Sequence, residues 1–216
     1  MGGGRKMRNG IVYIAFGNKC MRELEYSVKT LRKTHPNLKI TLFSDKIPDN
    51  DQFDFVKLIS ADSVRVKQKF LLDSPYDNTL YLDTDTAILG PIEETFRIME
   101  RFDMAATHDL IRKDAKKSAK YPDYAKIPDG FPEFGGGVIL FRKSTEVERF
   151  FDVWQRNFKK WYELTGEVRD QPSFRVSVWQ CQDLKFFVLP PEFNHRTKKH
   201  NNIITRIKHE HNMWRK

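Results

Sequence analysis

Two carboxylates separated by a single residue, Asp83 and Asp85, are the side chains of this sequence best suited to chemistry. They follow the apolar run at residues 80–82, so a buried strand ending there would bring both to the edge of a sheet. Divalent cations such as Mn²⁺ and Mg²⁺ prefer oxygen ligands and bridge carboxylates to diphosphates. We therefore predict that the pair holds Mn²⁺ or Mg²⁺, which would neutralise negative charge on a departing diphosphate.

The stretch Asp-Thr-Asp-Thr at residues 83–86 has a second interpretation. It fits the opening motif of haloacid-dehalogenase-type phosphotransferases, in which the first aspartate is a nucleophile and the second an acid/base. That motif usually lies on the first strand of its domain, whereas Asp83 follows the fourth predicted strand. The sequence also lacks a downstream acidic pair of the GDxxxD type. A simple turn is the plainest alternative, since Asp and Thr are common in turns.

The elements that would position these carboxylates alternate between strands and helices. Apolar runs of strand length occur at residues 11–16, 39–43, 53–59, 79–82, 104–107 and 137–141, and apolar residues recur at helical spacing over 21–31 and 147–161. This alternation predicts an α/β fold with a mostly parallel central sheet flanked by helices. Residues 108–133 show no clear period, and we predict there a loop that closes over the site.

Composition narrows the class of protein. The 216 residues carry a formal net charge of +9, and 39% of them are hydrophobic, which fits one globular domain at residues 10–216 after a flexible segment at 1–9. The positive charge suits an anionic partner such as a nucleotide diphosphate, an acidic membrane surface or nucleic acid. A basic nucleic-acid-binding module without catalysis is therefore an alternative. No recognised nucleic-acid motif is present, so we predict no nucleic-acid partner.

Location is predicted from cysteines and apolar runs. Cys20 and Cys181 form no CxxC pair, which favours a reducing compartment, and we predict a soluble cytoplasmic protein. No apolar run approaches the ~20 residues that span a bilayer, and the first ten residues lack the apolar core of a signal peptide. A peripheral contact with a membrane stays compatible with the sequence.

The segment at residues 81–86 (YLDTDT) resembles the DxD segment of GT-A fold glycosyltransferases, especially the glycogenin-like group, family 8. Further segments resemble that family in the same order along the chain. They are residues 11–18 (first strand and nucleotide-binding loop), 65–67 (basic residue reaching the donor), 134–139 (strand lining the sugar site), 170–171 (DQ pair) and 207–209 (late strand with a metal-ligating histidine). The sequence departs from the family at Gly135, where an asparagine is usual, and at Asn212, where a glycine is usual.

The resemblance implies a single GT-A (Rossmann-like) domain with hexosyltransferase activity. It implies transfer of a sugar from a UDP-linked donor, with UDP-glucose as the predicted donor, to a hydroxyl of a glycan or glycoconjugate acceptor. Retention of anomeric configuration is also implied, while inversion stays open with Asp170 or Glu133 as the base. Glu133 is in addition a candidate carboxylate on the acceptor side.

The resemblance also implies roles for individual residues. Asp83, Asp85 and His209 would ligate the metal, and His209 is preferred to His211 because the two would point to opposite faces of a strand. Lys67, with Lys69 and Arg65 as rivals, would neutralise the diphosphate, and Asp170 would stabilise positive charge developing on the sugar. The implied donor-binding residues are Phe16, Asn18, Arg65, Lys67, Asp83, Thr84, Asp85, Gly135, Gly136, Gly137 and Gln171.

Overall fold

Nine strands and six α-helices are present in a computed structural model that describes residues 7–60, 67–109, 113–196, 204–211 and 213. The strands are β1 (Asn9–Ala15), β2 (Lys39–Ser44), β3 (Phe55–Leu58), β4 (Asn78–Leu82), β5 (Thr86–Ile88), β6 (Met104–His108), β7 (Phe134–Arg142), β8 (Phe186–Leu189) and β9 (Ile207–His209). The helices are α1 (Gly17–Thr34), α2 (Lys67–Phe70), α3 (Ala115–Lys120), α4 (Pro122–Ala125), α5 (Thr145–Thr165) and α6 (Gln171–Gln180). Short 3₁₀ helices cover Leu71–Asp73, Glu93–Glu100 and Pro191–Asn194.

Seven strands form the central sheet in the order β3-β2-β1-β4-β7-β6-β8. Strands β1 to β4 pair in parallel, and β8 pairs in parallel with β6. Strand β7 is antiparallel to both of its neighbours, β4 and β6. The predicted mostly parallel α/β sheet is therefore confirmed. The reversed direction of β7 was not predicted, because a continuous apolar run indicates that a strand is buried on both faces but does not indicate its direction.

Two apolar layers cover the sheet, and alternate residues of β1 point into them. Ile11 and Tyr13 pack in the layer that contains the apolar stripe of α1. Val12, between them, packs in the layer formed by α5 and α6. This alternation follows from the two-residue side-chain period of a strand. The sheet is thus held between helices on both faces, which leaves its carboxyl edge open for a ligand.

The segment predicted as a long loop contains α3 and α4 and is attached to α6. The Arg175 guanidinium, fully buried on α6, donates hydrogen bonds to the backbone carbonyls of Tyr124, Pro128 and Phe131. The described part of the segment therefore contains helices packed against the core and is not the structureless loop that the sequence predicts. Helices this short leave no detectable period in the sequence. Among the described helices, none is long and apolar enough to cross a membrane.

Candidate active site

The predicted carboxylates lie in a turn between two strands. Strand β4 ends at Leu82, and β5 begins at Thr86. The Thr86 hydroxyl donates to the backbone carbonyl of Asp83 at 2.8 Å and closes the turn. Strand β5 pairs antiparallel with β9, and this register sets Thr86 opposite His209. The small second sheet therefore brings a histidine from the end of the chain to the carboxylates.

Three side chains converge at this point in a geometry that suits a cation. His209 Nε2 lies 3.0 Å from Asp85 Oδ1 and 3.8 Å from Asp83 Oδ2. One candidate ligand atom from each residue lies within 4.8 Å of the others. Two carboxylate oxygens and one imidazole nitrogen form a donor set that Mn²⁺ accepts and that Mg²⁺ tolerates. These residues fit the predicted metal.

A second layer of contacts orients the histidine. His209 Nδ1 lies 2.8 Å from the amide oxygen of Asn194, which can only accept a hydrogen bond. If the neutral imidazole binds a cation, Nδ1 would carry the proton and Nε2 would offer its lone pair to the ion. Asn194 ends the 3₁₀ helix Pro191–Asn194, and it is buried. Nothing in the sequence pattern singled out this residue.

Three consecutive glycines make room for the polar side chains. A Cβ atom added at Gly137 would collide with the His209 ring and with Asp83 Oδ2. One at Gly135 would collide with the Asn194 amide, and one at Gly136 would lie 3.0 Å from Lys67 Nζ. The glycines at the start of β7 thus let the site's own side chains lie against the backbone of the strand. The sequence predicts this close approach for the donor sugar.

Asp85 is held ionised by its neighbours. Burial acts to raise its pKa, but the hydrogen bond and charge of His209 and the charge of His211 outweigh burial and set the pKa to about 2. His211 Nδ1 lies 2.7 Å from Asp85 Oδ2, so the two histidines contact different oxygens of one carboxylate. The prediction that they point to opposite faces of a strand is wrong, because β9 ends at His209 and His211 lies in a turn.

Beside Asp83, Asp85 and His209 lies a buried ion pair. Lys67 Nζ is 2.5 Å from Asp170 Oδ2, donates to the Gly136 carbonyl at 2.7 Å and is 3.8 Å from Asp83 Oδ1. The side chains of Lys67 and Asp170 are 5% and 8% exposed, so this pair lies in a region of low dielectric. Asp170 directly precedes α6, but its side chain makes no capping hydrogen bond. Its carboxylate contacts the lysine instead.

These groups share one cavity of about 620 Å³ at the carboxyl edge of the sheet. The predicted donor-binding, catalytic and metal residues within the described ranges line it, except Asn18 and Gly135. Asn18 accepts a hydrogen bond from Lys46 on the surface. Arg65 lies outside the described residues. Glu133 does not reach the cavity, because it is buried against Lys117 and Tyr124.

The cavity contains groups that sequence reasoning missed. The Tyr81 hydroxyl donates to Asp83 Oδ1, and Arg169 and Arg196 lie on the exposed rim. Glu23 of α1 also lines the cavity. No sequence signal identifies it, because position 23 lies beside the unbroken apolar stripe of Met21, Leu24 and Val28 and not within it.

Comparisons with known proteins give structural matches alone. No family model matches the chain, and no curated protein matches its sequence. The galactosyltransferase LgtC, solved with donor and acceptor sugar analogues, superposes with a TM-score of 0.63 at 14% identity over 93% of this chain and 86% of its own. The glycosyltransferase GlyE of Streptococcus pneumoniae gives 0.65 at 18% identity over 94% of this chain and 55% of its own.

Mouse xyloside xylosyltransferase 1 gives a TM-score of 0.64 at 13% identity, over 93% of this chain and 97% of its own. Each of these proteins is a glycosyltransferase by name, and each shares the layered sheet described above. At such low identity a likeness is one of fold. The chain has the GT-A glycosyltransferase fold, as the sequence analysis predicted.

Proposed function

We propose that this protein is a metal-dependent glycosyltransferase. It transfers a hexose from a UDP-linked donor, UDP-glucose in the first instance, to a hydroxyl of a glycan or glycoconjugate, with retention of anomeric configuration. As its sequence resemblance suggests, it belongs with the glycogenin-like GT-A enzymes. It works as one domain over residues 10–216, in the cytoplasm.

The observation that carries this function is the grouping of Asp83, Asp85 and His209 at the wall of a cavity that also holds the Lys67–Asp170 pair. Mn²⁺ or Mg²⁺ bound by the first three would supply charge neutralisation for a leaving diphosphate. A buried lysine beside them adds positive charge where the dielectric is low. The GT-A fold favours sugar transfer over the phosphotransferase alternative.

Individual roles follow from position in the cavity. Lys67 offsets the negative charge of the diphosphate, and Asp170 lies where positive charge develops on the sugar. Gly136 and Gly137 let the sugar lie close to the backbone of β7. The remaining donor contacts of the proposal are Phe16, Arg65, Thr84 and Gln171.

A panel of nucleotide sugars, with and without Mn²⁺, tests the function by thermal shift. The donor should raise the melting temperature only when the metal is present, because ligands that bind the folded state stabilise it by mass action. In Asp85→Ala the metal dependence should vanish. Transfer from that donor to glycan acceptors is then measured.

Asp49→Ala is the matched control, since Asp49 is exposed and lies outside the cavity. It should keep the metal-dependent shift and the transfer rate. If Asp85→Ala transfers sugar as fast as the parent, the metal site is assigned to the wrong residues. If no nucleotide sugar stabilises the parent with or without Mn²⁺, the protein is not a glycosyltransferase of this kind.

A further inference from the structure

One carboxylate in the cavity has no part in the chemistry described so far. Glu23 lies in α1, two turns from its start, and is only 5% exposed. It lines the cavity together with Asp85 and His211. A charged side chain is almost never buried to this degree unless it is paired.

The partners of Glu23 within the described residues are weak. The Thr84 hydroxyl lies 3.5 Å from Oε2, at the limit of a hydrogen bond. Oε1 is buried and accepts no hydrogen bond from any described group. The nearest basic group of the described residues, His211 Nδ1, is 3.9 Å from Oε1 but only 2.7 Å from Asp85. A buried acceptor left in this state indicates a missing donor, and a ligand in the cavity can supply it.

The contacts across the cavity form a continuous series. It runs Asp170–Lys67 (2.5 Å), Lys67–Asp83 (3.8 Å), Asp83–His209 (3.8 Å), His209–Asp85 (3.0 Å), Asp85–His211 (2.7 Å) and His211–Glu23 (3.9 Å). The metal-binding groups occupy the middle, and Asp170 and Glu23 are the two ends. A nucleotide sugar has the same order, with a diphosphate between a sugar and a nucleoside.

The chemistry of the nucleoside end fits a carboxylate. If Asp170 faces the donor sugar, Glu23 faces the ribose, which is the first group joined to the diphosphate on the other side. An ionised carboxylate can only accept hydrogen bonds, and the ribose 2′- and 3′-hydroxyls can donate them. Acidic side chains bind ribose hydroxyls in this way in dinucleotide-binding folds.

We propose that Glu23 accepts hydrogen bonds from the ribose hydroxyls of the donor, and that this contact selects ribonucleotides over deoxyribonucleotides. This role rests on the proposed function. The Thr84 hydroxyl lies on the Oε2 side of the carboxylate, 3.5 Å away, so Oε1 is the oxygen available to the ligand. Glu23 is a specificity residue and takes no part in the transfer step.

The experiment measures dissociation constants of UDP and 2′-deoxy-UDP by calorimetry in the presence of MnCl₂. The parent should bind UDP about tenfold or more tightly than 2′-deoxy-UDP, since a hydrogen bond to a charged group is lost. Glu23→Gln and Glu23→Ala should reduce the ratio to below about threefold. Glu25→Gln is the matched control, because Glu25 is exposed on the same helix, and it should keep the parental ratio.

The outcomes separate this role from the proposed function. A parent that binds UDP and 2′-deoxy-UDP equally well overturns the ribose contact alone. The same holds if Glu23→Ala weakens the binding of UDP and of 2′-deoxy-UDP by the same factor, so that the ratio stays constant. A parent that binds neither nucleotide with metal overturns both proposals. A ratio that falls in both Glu23 variants and not in Glu25→Gln supports the ribose contact.

Discussion

The described part of the chain buries two lysine–carboxylate pairs, and their surroundings differ. In Lys117–Glu133, the ammonium donates to both carboxylate oxygens at 2.9 and 2.8 Å, and the Tyr124 hydroxyl adds a third hydrogen bond at 2.7 Å. In Lys67–Asp170, the ammonium contacts a carboxylate oxygen and lies 3.8 Å from Asp83, one of the three proposed metal ligands. Only the second pair lines the cavity.

The difference shows that a buried lysine–carboxylate pair is not by itself a sign of a catalytic group. The Lys117–Glu133 pair is satisfied internally and joins α3 to the start of β7. Burial, and the hydrogen bond and charge of Glu133, raise the pKa of Tyr124, so its hydroxyl stays protonated and continues to donate. This cluster therefore stabilises the fold, while the Lys67–Asp170 pair directs charge into a cavity.

The largest effect is expected from breaking the internal pair. In Lys117→Met, Glu133 is left as an uncompensated buried charge, and the free energy of unfolding should fall by about 3–5 kcal/mol. Urea denaturation measures this loss. The transfer rate per folded molecule should stay within about threefold of the parent, because the pair does not reach the cavity.

Lys116→Met is the control for that variant, since Lys116 is exposed on the same helix. Its unfolding should match the parent. If Lys117→Met instead keeps its stability and loses transfer, the assignment of this pair to the fold is wrong.

The next effect concerns the cavity pair. In Lys67→Met, positive charge beside the diphosphate is lost, and kcat/KM for transfer should fall by about 10²–10³-fold. Lys69→Met, on the exposed side of the same helix, should leave kcat/KM unchanged. Single-turnover kinetics on variants shown to be folded by circular dichroism measure the rates. A Lys67→Met variant that is destabilised but transfers at the parental rate would remove the distinction between the two pairs.

The smallest effect is expected from a change in the backbone beside the site. In Gly137→Ala, the added methyl group would displace His209 and Asp83, and Mn²⁺ affinity should fall by about 10–100-fold. Gly130→Ala is the matched control in the segment between α4 and β7, because a Cβ there meets nothing within 4 Å. Metal titration followed by calorimetry compares them. Equal affinities in both variants would show that the metal is not held beside Gly137.

Parts of the site were predictable because they depend on local sequence. A buried strand followed directly by two aspartates places these carboxylates at a sheet edge, and Asp83 and Asp85 are there. Asn194 and Glu23 were not predicted, because the residues next to a buried polar residue in sequence do not indicate which distant group it will contact. Glu133 was predicted to face an acceptor and is instead paired with Lys117. Glu133 is close in sequence to the cavity residue Gly136, but this closeness did not reveal the direction of its side chain.

The sequence by itself determined the alternation of strands and helices and the end of β4 at the carboxylates, because apolar runs and helical spacing report local burial. Only the tertiary structure decided that β7 is reversed and that β5 pairs with β9. That pairing brings His209 to Asp85, and contacts between distant strands depend on register and packing. Local periodicity contains no information about either, so the three proposed metal ligands come together only in the folded chain.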